Sequence, residues 1–351
     1  MLTRNTASPG SDSANCARWR WAPALVVFYC ISHIKFSKYS ARIVGLLIVI
    51  CLSHFSFPAL AYNCTMSATN IAFGNVDVTT GGAVDSTATL TLSCSGAPSN
   101  KTVRMCVDID GGSASDATSR LMNGPGAPQL RYQLYSDAAR TTVWGSWSAS
   151  LYGGGFTWDF FSPSSSWSTQ TTVYGRVLSS QQTITAGAYT SALGLFFTYS
   201  DKNNNACPDP GKGNSSTTFS ASATVTSNCA VSATNLNFGS IGLLSANLDA
   251  SSTVTAACTN GAPYNVGLNA GAGTGATVAA RKMTNGANTV TYSLYTNASR
   301  TTVWGNTVGT NTVGGTGSGS NQNLTVFGRM PPQTTPAPAT YTDTIIVTVT
   351  Y

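Results

Sequence analysis

The stretch Tyr132-Gln-Leu-Tyr-Ser-Asp-Ala-Ala-Arg-Thr-Thr-Val-Trp-Gly145 returns as Tyr292-Ser-Leu-Tyr-Thr-Asn-Ala-Ser-Arg-Thr-Thr-Val-Trp-Gly305, with ten of fourteen residues unchanged. Two further motifs recur around it in the same order. Cys64-Thr-Met-Ser-Ala-Thr-Asn-Ile-Ala-Phe-Gly74 precedes the first copy, and Cys229-Ala-Val-Ser-Ala-Thr-Asn-Leu-Asn-Phe-Gly239 precedes the second. Val173-Tyr-Gly-Arg176 follows the first, and Val326-Phe-Gly-Arg329 follows the second. Ordered repetition of this kind means one structural unit written twice. A chain of 351 residues has room for two such domains.

Local patterning makes both units β. Val103-Arg-Met-Cys-Val-Asp-Ile109 alternates, and Val84, Thr87, Thr89 and Leu90-Thr-Leu-Ser-Cys94 are rich in β-branched residues. Ile345, Val347, Val349 and Tyr351 share one face of a strand, with Thr344, Thr348 and Thr350 opposite. Gly81-Gly82, Gly111-Gly112 and Gly153-Gly154-Gly155 punctuate the runs, and no stretch has helical periodicity with caps. The expectation is an all-β chain of two tandem antiparallel β-sandwiches.

Composition removes most chemistry. Charged residues are 9% of the chain; all twelve acids are Asp, and both histidines, His33 and His54, fall in the first 61 residues. Lys35, Lys38 and Arg42 precede the apolar run 43–52, and Pro58-Ala59-Leu60-Ala61 ends it, the pattern of a secretory signal peptide cleaved after Ala61. The apolar run is too short for a membrane span. Twelve basic and eleven acidic side chains then remain, which leaves no electrostatic footprint for a nucleic-acid partner. Without His or Glu, histidine triads, histidine-ligated metals and glutamate acid–base pairs are excluded, so neither an enzyme nor a cofactor or metal site is expected. Asp108 and Asp110 share a strand face but read as a solvated strand end before Gly111-Gly112.

Six cysteines follow the leader, and an even number in an exported chain reads as disulfides. The second unit holds only Cys229 and Cys258. Their counterparts in the repeat are Cys64 and Cys94, which leaves Cys106 for Cys207. Pairing between units is the alternative.

The Cys-x-x-Ser-Ala-Thr-Asn-x-x-Phe-Gly opening, the Tyr-x-Leu-Tyr-x-x-x-x-Arg-x-x-x-Trp-Gly block and the closing Tyr341-Thr-Asp-Thr-Ile-Ile-Val-Thr-Val-Thr-Tyr351 resemble the spore coat protein U domain family, which includes subunits of archaic, Csu-type chaperone–usher pili. The resemblance covers nearly all of residues 63–351. It implies incomplete immunoglobulin-like sandwiches that lack their last strand and are completed by donor-strand complementation. A periplasmic chaperone lends the strand first and a neighbouring subunit replaces it, with an outer-membrane usher between the two steps.

On that resemblance the chain divides into a leader (1–61), an adhesin-like unit (62–215), a donor strand or linker (216–228) and a pilin-like unit (229–351). Phe219, Ala221, Ala223 and Val225 alternate just before Cys229, where a donor strand sits in this family, and are expected to complete the first unit in cis; a plain β-linker is the alternative. The second unit is expected to present an open acceptor groove along Ile345, Val347, Val349 and Tyr351. With cleavage after Ala61, only Tyr62 and Asn63 precede Cys64, so the chain accepts a strand but has none to donate. The reading is a subunit exported through the periplasm to the pilus tip.

The two units differ most between their Trp-Gly and Val-aromatic-Gly-Arg landmarks. The first carries Trp147, Leu151, Tyr152, Phe156, Trp158, Phe160, Phe161 and Trp167; the second has no aromatic residue there. These are read as exposed fingers for a hydrophobic abiotic or host surface, which would support attachment and biofilm formation, with packing into an enlarged core as the alternative. A sugar-binding tip and a secreted structural coat protein are the competing functions.

Overall fold

The computed structural model describes residues 63–351 apart from 148, 150, 151, 202–205, 208–210 and 212. The leader, its cleavage after Ala61, and Leu151 lie outside the described residues. The described residues form two tandem immunoglobulin-like β-sandwiches and no helix.

The first module contains β1 (Asn63–Ala68), β2 (Ile71–Val76), β3 (Val84–Ser95), β4 (Lys101–Ile109), β5 (Ala114–Ser115), β6 (Arg120–Met122), β7 (Leu130–Tyr135), β8 (Phe156–Ser162), β9 (Ser166–Val177), β10 (Gly187–Ser200) and β11 (Gly213–Val225). One sheet runs β1-β3-β9-β7-β6-β5 and the other β2-β11-β10-β4-β8. The second module contains β12 (Cys229–Ala233), β13 (Leu248–Cys258), β14 (Pro263–Leu268), β15 (Arg281–Asn285), β16 (Asn288–Tyr295), β17 (Val313–Thr316), β18 (Asn321–Met330) and β19 (Val347–Thr350). Its sheets run β12-β13-β18-β16-β15 and β17-β14-β19. Inward-facing residues of each pair of sheets make two separate cores, one centred on Leu90, Met105 and Leu195, the other on Val254, Val266 and Leu294.

The repeated motifs are the framework of each sandwich. The register sets Cys64 opposite Cys94 and Cys229 opposite Cys258, and each pair is bonded; Cys106–Cys207 ties β4 to the segment after β10. Closing the two shorter loops restricts the unfolded chain by about 3–4 kcal/mol each, and the longer Cys106–Cys207 loop by about 4.7 kcal/mol. The Trp144 indole N–H donates to the Val107 carbonyl at 3.0 Å, and Trp304 to Val266 at 2.9 Å, pinning the following loop across the core. Asp137 accepts from the backbone N–H groups of Thr141 and Thr142, and Asn297 from Thr301 and Thr302. That turn holds Arg140 and Arg300 in the left-handed region, at φ 58° and 54°. Each then donates to the carbonyl of the glycine in Val-aromatic-Gly-Arg, Gly175 or Gly328. Each also joins the next arginine around one carboxylate: Arg140 and Arg176 on Asp85, Arg300 and Arg329 on Asp249. These half-exposed ion pairs add little stability but fix the turn's orientation. The glycine itself is a packing requirement. A Cβ on Gly175 would lie 2.3 Å from Ile71 Cδ1, and one on Gly328 2.7 Å from Leu236 Cδ1. The Val-aromatic-Gly-Arg motif is therefore where the Ile/Leu of the opening motif lands.

Candidate functional site: the uncovered groove of the second module

In the first module β11 lies between β10 and β2. It runs antiparallel to β10 from Gly187↔Val225 to Tyr199↔Gly213, and parallel to β2. Phe219, Ala221, Ala223 and Val225 all point inward and are buried in the core. Two small residues follow the large one because of what they face: Ala221 and Ala223 stand opposite Ser191 and Tyr189. The asparagine of Ser-Ala-Thr-Asn also has its use here. Asn70 Oδ1 accepts the Ser220 backbone N–H at 2.9 Å, gripping the strand from the side. The strand begins at Gly213, a few residues before the 216–228 segment delimited from sequence.

The second module has the same walls without that strand. Tyr341, Asp343, Ile345, Val347, Val349 and Tyr351 take the places of Tyr189, Ser191, Leu193, Leu195, Phe197 and Tyr199, an equivalence fixed by the pairing of Val349 with Val266 as Phe197 pairs with Val107. β19 pairs with β14 on one side, and among the described residues no strand pairs with its other edge. Residues 236–241, the counterpart of β2, form no strand, since β2 owes its pairing to β11.

Equivalent positions differ in exposure accordingly. Ile71, Phe73, Met122, Tyr189, Leu193 and Leu195 are buried; Leu236, Phe238, Met283, Tyr341, Ile345 and Val347 are half-buried. Val76 is 1% exposed and Ile241 39%; Val78 is 3% exposed and Leu243 76%. Between Leu236/Phe238 on one side and Ile345/Val347 on the other lies a groove of about 520 Å³. An apolar groove with an unpaired strand edge is the geometry of β-strand addition.

The four residues expected along the acceptor strand do not all reach this groove. Ile345 and Val347 line it, while Val349 packs against the core lower down. Tyr351 is a correction: it is exposed, and its hydroxyl donates to Asn228 Oδ1 at 3.0 Å in the inter-module connection. One polar group sits in the groove wall. Asp343 accepts the Tyr292 hydroxyl at 2.8 Å and the Ala272 N–H at 2.7 Å. Burial, reinforced by this carboxylate, pushes the Tyr292 phenol up, so it stays a donor.

A buried arginine supports each module and was not singled out from sequence. Arg281 donates to the carbonyls of Asn269, Val278, Leu268 and Trp304 at 2.7–3.0 Å, fixing the strand end beside the groove. Arg120 does the same for Asp110, Ile109 and Trp144, and also donates to Gln133 Oε1. Desolvation lowers both guanidiniums to about 10, still charged at neutral pH. The signal is Arg120-Leu-Met122 against Arg281-Lys-Met283, twelve and eleven residues before the tyrosine that opens the Tyr-x-Leu-Tyr block, and each arginine pairs with that tyrosine across the strands.

The aromatic segment of the first module is corrected most. Phe156, Trp158 and Phe160 are not fingers but the inward face of β8, which pairs with β4 and packs on the core. Trp167 is buried in β9 and stacks on Phe160 with ring centroids 4.5 Å apart; Phe156 lies 4.8 Å from Trp144. Tyr152 is half-buried, with the Arg120 guanidinium 4.9 Å from its ring centroid, and Trp147 is half-buried. Of the set, Phe161 is exposed, at 60%. Phe196, unremarked in the sequence, is exposed at 48% on the same outer face of that sheet. Asp108 is likewise no solvated strand end. It is buried, accepting the Ser146 hydroxyl at 3.1 Å and the Trp147 N–H at 3.3 Å, and so anchors the loop that leads to β8.

Among solved structures, the chain is similar to one in the CsuC–CsuE chaperone–tip adhesion subunit pre-assembly complex from archaic chaperone–usher Csu pili of Acinetobacter baumannii, at 18% identity, covering 82% of this chain and 100% of that one, with a TM-score of 0.48. It is also similar to the CupB6 tip adhesin from Pseudomonas aeruginosa, at 10% identity, covering 83% and 95%, with a TM-score of 0.36. No curated protein matches the sequence. The family model of the Spore Coat Protein U domain matches twice, over residues 52–195 in the first sandwich and over residues 215–348, which take in most of β11 and the second sandwich. The chain therefore belongs to the Spore Coat Protein U domain family.

Proposed function

We propose that this chain is a non-enzymatic tip subunit of an archaic chaperone–usher pilus, in which the second module joins the fibre by accepting a strand in trans and the first module meets the surface. The observation that carries the reading is the contrast between the modules: the positions buried under β11 in the first are the half-exposed walls of an uncovered groove in the second. A periplasmic chaperone occupies the groove during export, the outer-membrane usher hands the subunit on, and the next pilin's strand takes the chaperone's place. With the leader removed after Ala61, β1 is committed to its own sheet and leaves no segment to donate, so the subunit stands at the far end of the fibre. Contact with a hydrophobic abiotic or host surface falls to the outer face of the first module that carries Phe161 and Phe196.

Co-expression with the periplasmic chaperone tests this. The wild-type chain co-purifies with it; Val347→Arg, which places a charge in the groove wall, abolishes co-purification, while Phe161→Ser leaves it intact. Co-purification that survives Val347→Arg, or that is lost only on altering the first module, overturns the reading.

A further inference from the structure

The first module contains a filled copy of the groove that the second leaves open, so the chain carries a worked example of an occupant. We infer that the groove of the second module also takes the β11 sequence itself, supplied by another copy of this chain whose first module has not yet closed on it. The inference rests on the open-groove reading above. It goes further by naming a second copy as a competing partner.

The fit follows position by position. By the wall equivalence, Phe219 comes opposite Ile345 where it now faces Leu193, and Ala221 opposite Asp343 where it now faces Ser191. Ala223 comes opposite Tyr341 where it now faces Tyr189. The floor is conserved in kind: Leu236 and Phe238 stand for Ile71 and Phe73, Met283 for Met122, Tyr292 for Tyr132, Leu294 for Leu134. Asn235, exposed at the groove's rim, stands for Asn70 and has the same carbonyl to offer the Ser220 N–H. The one substantial difference, Asp343 for Ser191, is met by alanine, which neither crowds the carboxylate nor takes its Tyr292 donor. Residues 213–225 carry no charge, so no like charge opposes their approach to Asp343.

Within one chain the strand cannot serve both grooves, because it is seated between β10 and β2 and only three residues separate it from β12. Between chains the balance depends on timing. A seated β11 stays put, whereas an unseated one meets two grooves of the same shape. Early occupation of the second groove during export therefore does more than protect that groove: it keeps copies of the chain from capturing one another.

The test uses the exported chain and a fluorescein-labelled peptide of residues 213–226, read by anisotropy and by native mass spectrometry. Saturable one-to-one binding is expected. The peptide carrying Phe219→Ala loses affinity by about 100-fold or more. A chain with residues 213–226 appended after Tyr351 through a Gly/Ser linker, its second groove filled in cis, shows no binding. Equal binding to this filled chain overturns the inference. A second arm uses an unrelated alternating Val/Thr peptide of the same length. If that peptide binds and the β11 peptide does not, the inference falls while the open groove stands. If neither binds, both fall.

Discussion

Replacing Phe219 by alanine asks whether β11 is a structural strand of the first module or a connection laid over it. The ring is 4% exposed and lies in the first core opposite Leu193. Truncating a phenylalanine so enclosed costs about 3–5 kcal/mol, from lost transfer energy and the cavity left behind. For a module of this size, each kcal/mol lowers Tm by about 2–4 °C, so its transition should fall by about 6–20 °C. Calorimetry of the exported chain resolves the two modules, and tryptophan emission helps to assign them: Trp304 reports on the second, and Trp144, Trp147, Trp158 and Trp167 on the first. The transition of the second module should not move. Thr218→Ala, an exposed neighbour on the same strand, should change stability by no more than about 0.5 kcal/mol. A Phe219→Ala cost below about 1 kcal/mol, or no larger than that of Thr218→Ala, would refute the seating of β11 and the comparison of grooves built on it.

Arg281→Met should lower the second module's stability by more than about 3 kcal/mol, since it strands buried carbonyls that four hydrogen bonds now satisfy; urea denaturation measures it. The double change Cys229→Ser with Cys258→Ser should cost the same module about 3–4 kcal/mol and leave the first unaffected, seen as separate movement of the two calorimetric transitions. The Asp85 carboxyl is held below its usual range chiefly by its hydrogen bond from Arg176, and that of Asp249 chiefly by Arg329. A depressed folded-state value means that their stabilisation is present above the unfolded carboxyl value of about 3.9 and is lost as pH falls through the lower folded value. Both are part-exposed, so the effect is small, and Asp85→Asn with Asp249→Asn should flatten Tm against pH only below about pH 4. Phe161→Ser with Phe196→Ser should reduce attachment of piliated cells to polystyrene without lowering fibre number; unchanged attachment removes that face from the contact.

The β class and the duplicated architecture could be read directly, because the repeated residues are those that each sandwich cannot do without. Trp144 and Trp304 cross the core, Arg140 and Arg300 lock a left-handed turn, and Gly175 and Gly328 make room for Ile71 and Leu236. The alternation of Phe219, Ala221, Ala223 and Val225 is likewise local and visible. What misled was reasoning by absence. The aromatics between residues 145 and 172 were expected outside because the second copy lacks them, yet both modules put an edge strand there. In the second it is the short, glycine-rich β17 on β14, and in the first it is β8 on β4 with a larger core beneath. Period-two spacing of Phe156, Trp158 and Phe160 carried that information, masked by flanking Gly and Ser. Arg120 and Arg281 were missed for a different reason: a charged residue reads as surface until the carbonyls that surround it are known. The groove itself was beyond any local pattern, since it consists of what residues 236–241 and 341–347 fail to pair with.

Amide hydrogen exchange on the exported chain, alone and in complex with its periplasmic chaperone, tests the open groove most directly. In the free chain the amides of Asp343, Ile345 and Val347, which face the open edge, should exchange fast while those of Ser191, Leu193 and Leu195 stay protected by β11, and chaperone binding should protect the former to the level of the latter. Equal protection of both sets in the free chain, or no change in the first set on chaperone binding, would contradict the account.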